Sequence, residues 1–349
     1  MSNQRSRSLS RREFLREFSI AGAAICLGLQ TEVADAAEQP LETTKIRIIY
    51  PWTPKSAGST PVCTAPLVVA EELLRGEGFA EIQYVQKDPG VPAFRALASG
   101  EGDLSIGVTL GFIIEVNAGS PIMILTGVHV GCYELFATGT IHSVRDLKGK
   151  TVSIPGVGSG AHLMLAAMAA YVGLNPKKDL RYVMHPFAGS TRLLADGDID
   201  AFMAWPPEPQ ELRAKKIGHV IVNTITDRPW SRYFCCSIAG NREFVRKNPI
   251  ATKRVVRAIL KSNDICARDP ERAARLLVNK GYTARLDYAL ESVKQIPYAN
   301  WRNHDPEDTV RFYSLRLHEV GMIKSTPQKI IQQGTDWRIF RELKKELKA

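Results

Sequence analysis

The run Pro155-Gly156-Val157-Gly158-Ser159-Gly160-Ala161-His162 carries the sharpest chemical signal in this sequence. Its glycines let backbone N–H groups approach a bound group closely, and Ser159 adds a hydroxyl. The helix expected from Ala161 turns its positive end toward the loop, which suits an anion or a strongly polar group. The spacing Gly-x-Gly-x-x-Ala also fits a variant dinucleotide fingerprint. The next strand, Arg181 to Phe187, ends without the acid that would clamp a ribose, and the anion reading is preferred.

Other candidates follow from where ligands sit in open α/β sheets, at the carboxyl ends of strands. In the first half of the chain these positions are Trp52, Ser56, Thr109, Leu110, Gly131 and Cys132. In the second half they are Gly158, Ser159, Gly160, Ala161, His162, Phe187, Trp205 and Pro206. Trp52 and Trp205 end corresponding strands, so they could sandwich an apolar or planar group. His129 and His162 lie near the same ends. No third ligand stands at suitable spacing, and both are read as hydrogen-bonding or core residues rather than metal ligands. Cys63, Cys132, Cys235, Cys236 and Cys266 match no zinc or redox spacing and are read as small hydrophobes. Glu115, Glu134 and Glu208 are the sparse acids near the strand ends. With no nucleophile elbow, metal quartet or paired carboxylates, no catalytic residue, metal or cofactor is assigned.

A repeated unit must position these groups. Lys45 to Tyr50 alternates as a strand, Pro61 to Arg75 forms a helix, and Ile82 to Gln86 is a second strand. A helix over Val91 to Ser99 and a strand over Asp103 to Val108 complete the unit. The order recurs as strand Lys150 to Ile154, helix Ala161 to Val172, strand Arg181 to Phe187, helix Ser190 to Ala195 and strand Asp200 to Ala204. Leu97-Ala98-Ser99-Gly100-Glu101-Gly102-Asp103 aligns with Leu194-Ala195-Asp196-Gly197-Asp198-Ile199-Asp200 at a constant offset of 97. Two β-α-β-α-β modules predict two doubly wound, mainly parallel sheets. After Arg232 the pattern is mostly helical, with Pro recurring at helix starts.

The first 36 residues read as an export address. Ser10-Arg11-Arg12-Glu13-Phe14-Leu15 is a twin-arginine pattern, Phe18 to Thr31 is uncharged, and Ala34-Asp35-Ala36 offers a cleavage site after Ala36. Ile25 before Cys26 argues against a lipobox. The expected compartment is the periplasm. The chain has 349 residues, 44% apolar and 23% charged, which excludes disordered and fibrous classes. The net charge of +10 is dispersed. Arg338 to Lys348 alternates basic residues with Glu as a solvated helix face, so no nucleic-acid partner is expected.

Ala98-Ser99-Gly100-Glu101-Gly102-Asp103, Ala118-Gly119-Ser120-Pro121-Ile122 and Asp146-Leu147-Lys148-Gly149-Lys150-Thr151-Val152, with Leu194 to Ala201, resemble periplasmic solute-binding proteins of ABC transporters. The likeness is to the nitrate-, taurine- and alkanesulfonate-binding group, related to the thiamine-pyrimidine-synthase family. It implies an α/β, type II two-lobed binding protein, with doubly wound sheets joined by two crossing segments and a helical C-terminal tail. Lobe one would be 37–137 with 232–349, and lobe two 138–231. The implied role is capture of a small organic anion, a sulfonate or carboxylate with an apolar part. The implied partners are that solute and an inner-membrane ABC permease with its cytoplasmic ATPase, the receptor being a monomer. The alternatives are a pyrimidine-synthase-like enzyme, of whose cysteine-rich iron motif only Phe234-Cys235-Cys236 remains, or a sensor subunit.

Overall fold

The computed structural model describes residues 39–51 and 62–347. The expected export segment and its cleavage site lie outside the described residues, as do Trp52 and Ser56. The first module is β1 (Lys45–Tyr50), α1 (Ala65–Gly76), β2 (Glu81–Gln86), α2 (Val91–Ala98) and β3 (Leu104–Val108). It is followed by α3 (Thr109–Asn117), β4 (Ile122–Val130) and β5 (Glu134–Ala137). The second module is β6 (Thr151–Ile154), α4 (Gly160–Tyr171), β7 (Arg181–Met184), α5 (Phe187–Asp196) and β8 (Ala201–Ala204). Then come α6 (Glu208–Lys215), β9 (His219–Asn223) and β10 (Phe234–Asn241).

Two five-stranded sheets result, ordered β2-β1-β3-β10-β4 and β7-β6-β8-β5-β9. The expected repeat is therefore a repeat of topology. In each module the first strand pairs in parallel with the other two. Each sheet then takes an antiparallel strand that has crossed from the other half of the chain: β10 beside β3, and β5 beside β8. The expected boundary at 138 shifts, because Glu134–Ala137 pairs wholly within the second sheet. β10 is buried at every residue, as an interior strand covered on both faces must be.

The tail contributes α7 (Arg242–Lys247), α8 (Pro249–Arg268), α9 (Pro270–Asn279), α10 (Leu286–Gln295), α11 (Pro306–Glu319), α12 (Pro327–Gly334) and α13 (Arg338–Glu346). It completes lobe one. Arg257 on α8 grips buried Glu77 through Nε at 2.9 and 3.0 Å, and Asn263 donates to the Val128 carbonyl at 2.8 Å. It also reaches lobe two. Arg213 on α6 bridges Glu134 and Glu291, and the Tyr313 hydroxyl lies 3.9 Å from Met164 Sδ. No described helix is long and apolar enough to cross a membrane.

The crossing segments run side by side, and one hydroxyl joins them. Thr224 Oγ1 accepts from the N–H groups of Cys132 at 3.0 Å and Tyr133 at 2.9 Å, and donates to the Tyr133 carbonyl at 2.8 Å. Thr224 is 1% exposed, so water cannot replace these bonds. Gly131 precedes them at φ +60°, where a Cβ would stand 2.6 Å from the Ile225 backbone. Thr224→Val keeps the shape and strands two buried donors, at a cost of about 1–3 kcal/mol. Gly131→Ala forces a left-handed alanine into backbone and costs about as much or more. Urea unfolding of both variants checks this; wild-type stability for both would refute the clamp.

Candidate functional site

Between the lobes lies a cavity of about 540 Å³. Its walls come from both sides: Asp88 to Gly90, Phe94 and Val108 from lobe one, and Pro155, Ser159, Gly160, Phe187 and Trp205 from lobe two. Cys132 and Tyr133 of the first crossing segment, with Cys63 and Cys236, line it as well. The lobes touch beside it. A Cβ on Gly158 would lie 2.9 Å from Val91 Cγ2, and one on Gly90 would lie 3.5 Å from Ser159 Cα.

The electrostatics come from backbone more than from side chains. Among the described lining residues there is no Lys or Arg, and Asp88 is the one carboxylate. Yet helices α1, α2, α3, α4 and α5 all begin at or next to lining residues. Each start presents N–H groups without intrahelical partners and the positive end of a dipole. The remaining wall is mostly apolar and aromatic. Trp205 packs edge-on against Phe187 at 3.9 Å between centroids and against Tyr133 at 5.9 Å.

The sequence candidates divide accordingly. Cys132, Ser159, Gly160, Phe187 and Trp205 line the cavity. Thr109, Leu110, Gly131, Gly158, Ala161, His162 and Pro206 do not, and each has a structural reason. Thr109 turns its hydroxyl to Ser237 Oγ at 2.7 Å and to the carbonyls of Phe234 and Cys235, fixing α3 to β10. Leu110 and Ala161 are fully buried in the core. Gly131 makes the tight turn into the crossing segment, and Gly158 meets the opposite lobe. The Pro206 carbonyl accepts from Val62 N–H at 3.4 Å, next to a cis bond to Pro207. The expected pairing of Trp205 with Trp52 falls on a residue outside the described ones; among the described residues Trp205 forms an aromatic wedge with Phe187 and Tyr133. Tyr133, Phe94 and Asp88 were missed. Tyr133 directly follows the candidates Gly131 and Cys132, so its position was a signal for it.

The Gly-rich loop is held by its own side chains. Ser159 caps α4 by accepting from His162 N–H at 3.3 Å, and His162 Nδ1 accepts the Gly158 N–H at 3.1 Å. The Gly160 N–H, in the first turn of α4, has no intrahelical partner, and Gly160 lines the cavity. None of the three acids noted near the strand ends forms a catalytic pair. Glu134 is bound by Arg213, and Glu115 accepts from Ser120 at 2.5 Å. Both oxygens of Glu208 are buried without a partner, and burial pushes its carboxyl well above the usual carboxylate range.

The cysteines depart most from the sequence reading. Cys63, His129, Cys132 and Cys236 come from separate segments, yet one potential ligand atom from each falls within a 4.8 Å group. Cys132 Sγ also stands 3.2 Å from Cys235 Sγ. Burial opposes a charge on His129, whereas the neighbouring Cys236 and Cys63 favour one and raise its pKa. The absence of a third ligand by spacing is thus corrected: spacing within one segment cannot show a set assembled across four.

The NMT1/THI5-like family profile matches residues 64–273. The chain belongs to the NMT1/THI5-like family. None of the curated protein sequences matches it significantly. Among solved structures, the periplasmic nitrate-binding protein of Synechocystis is similar at 15% identity and TM-score 0.70, covering 89% of this chain and 90% of its own. The alkanesulfonate-binding protein of Xanthomonas axonopodis bound to MOPS is similar at 17% and 0.65, covering 82% and 96%. A Candida albicans protein described as having the generic periplasmic binding protein fold matches at 16% and 0.63, covering 84% and 96%. This member of the NMT1/THI5-like family therefore has the two-lobed periplasmic binding protein fold.

The loop geometry sets a pH dependence. Burial lowers the His162 pKa, so its neutral ring is favoured in the folded chain. A group depressed on folding contributes stability above its unfolded pKa, about 6.5, and loses it as pH falls through the folded value. His162→Asn keeps an acceptor near Nδ1 but does not titrate. Urea unfolding from pH 7.5 to about 5 should show wild type losing more stability than the variant. Equal slopes would show that His162 is not buried neutral.

Proposed function

We propose that this chain is the periplasmic solute receptor of an ABC import system, and that it captures a small organic anion with an apolar part. The observation that carries the reading is the cavity between the lobes, where helix N-termini converge on a wall that is otherwise apolar. A guest touching both walls favours the closed arrangement, since it gains contacts there that an open cleft lacks. Helix N-termini suit a sulfonate or carboxylate head, and Trp205, Phe187 and Tyr133 suit its apolar body. That one similar structure, an alkanesulfonate-binding protein, is bound to MOPS, itself a sulfonate, points the same way. The receptor is read as a monomer that docks its closed form on an inner-membrane permease with a cytoplasmic ATPase.

A thermal-shift screen over sulfonates, carboxylates and pyrimidines tests this. A ligand at 100 times its Kd adds about 2.7 kcal/mol of stability. Calorimetry should then give one-to-one binding, with the ligand recovered unchanged. Iron-dependent turnover would instead favour the synthase reading. Gly160→Ala provides the structural arm. Its methyl would lie 2.4 Å from Tyr133 Oη and 2.7 Å from Val108 Cγ2, on the opposite lobe. The variant should stay folded with lobes parted and bind at least about tenfold more weakly, or about 1.4 kcal/mol. Undiminished affinity would place the guest elsewhere.

Export is tested separately. Arg11→Lys with Arg12→Lys should leave precursor in the cytoplasm, whereas unchanged export would remove the twin-arginine route.

A further inference from the structure

The group formed by Cys63, His129, Cys132 and Cys236 is not needed to explain the cavity's shape. Cys63 sits in the short turn before α1, His129 near the end of β4, Cys132 in the first crossing segment and Cys236 on β10. All four are buried, at 4%, 0%, 2% and 2% exposure. Four sulfur and nitrogen ligand atoms within 4.8 Å are close to the edges of a tetrahedron. Bonds of about 2.3 Å to sulfur and 2.0–2.1 Å to nitrogen place such atoms about 3.5–3.8 Å apart.

The histidine makes the group more than a packing of small thiols. His129 Nδ1 lies 2.8 Å from the Gly131 carbonyl, so it carries the proton and donates. That leaves Nε2 buried without a hydrogen-bond partner. An imidazole anchored through one nitrogen to a backbone carbonyl, with the other turned inward, is oriented as a metal ligand is. An apolar cluster would gain nothing from a polar atom placed this way and would pay its desolvation.

We propose that Cys63, His129, Cys132 and Cys236 bind one thiophilic metal ion, Zn²⁺, at the floor of the cleft. Three thiolates and an imidazole are a soft donor set that suits zinc over the hard cations magnesium and calcium. Zinc with three thiolates carries one net negative charge, and the positive end of α1, which starts at Ala65, lies next to Cys63. No redox change is involved. Each metal–sulfur bond replaces a proton, so one ion releases about three protons to solvent. The sulfurs of Cys63, Cys132 and Cys236 belong to residues that line the cavity, so the ion enters from the cleft. The proposal does not depend on which solute the cleft takes.

Purified full chain, treated with chelator and reductant, is titrated with Co²⁺. One equivalent should produce thiolate-to-cobalt charge transfer and the strong visible bands of a tetrahedral site, and Zn²⁺ should abolish both. In weak buffer, zinc should release about three protons per chain. His129→Gln and Cys236→Ser should weaken zinc binding by at least about a hundredfold, while Cys266→Ala, on α8 and outside the group, should change nothing. Circular dichroism checks that each variant folds, and the wild-type cobalt spectrum decides independently of them. Absent cobalt bands, or thiols equally reactive with and without zinc, would overturn the site. So would a Cys132–Cys235 disulfide whose reduction fails to restore metal binding.

Discussion

One buried hydroxyl ties the two halves of this molecule together. Thr224 Oγ1 accepts two N–H groups from the first crossing segment and returns a proton to its backbone. Everything at the cleft is measured from that junction. Cys132 and Tyr133 are held by it directly, Gly131 makes the turn that reaches it, and the Gly131 carbonyl in turn holds His129. A cleft between lobes needs segments that flex along their length yet keep their register with each other. A side chain that binds two successive donors fixes that register without rigidifying either lobe.

The proposed preference for anions needs no cation in the described wall of the cavity. Five helix starts around one space produce a positive field from partial charges that are fixed by the fold and cannot be neutralised by pH. A lysine in the same place would pay for its own desolvation when the lobes close. On the same proposal the aromatic wedge, its rings locked edge-on to one another, would select by shape.

Much of the fold was legible because it depends on local pattern. The strand–helix–strand order, the glycine stops and the aligned Leu-Ala-x-Gly runs fix both modules, and α8 starts on Pro249, in keeping with the proline at helix starts after Arg232. The boundary at Glu134 was not legible, since a short apolar strand carries no mark of which sheet it joins. The candidate site was half legible. A strand end names a neighbourhood, but whether a side chain faces the cleft depends on a neighbour from elsewhere. Thr109 is claimed by Ser237 and His162 by Gly158. The cysteine–histidine group was invisible for the same reason, because its members are up to 173 residues apart in sequence, as Cys63 and Cys236 are.

The two exchanged strands give the lobes unequal histories as the chain leaves the ribosome. β5 precedes its whole lobe, so the second sheet can close as soon as β9 is made. The first sheet waits. β4 attaches to β3 only through β10, which emerges after the other lobe is complete. An N-terminal module with an open β3 edge must therefore persist through synthesis of the 125 residues between Val108 and Phe234, and its pairing is of the slow, non-local kind. The lobe that starts first finishes last, and a nascent chain in that interval offers an unpaired β3 edge to chaperones or to other copies of itself.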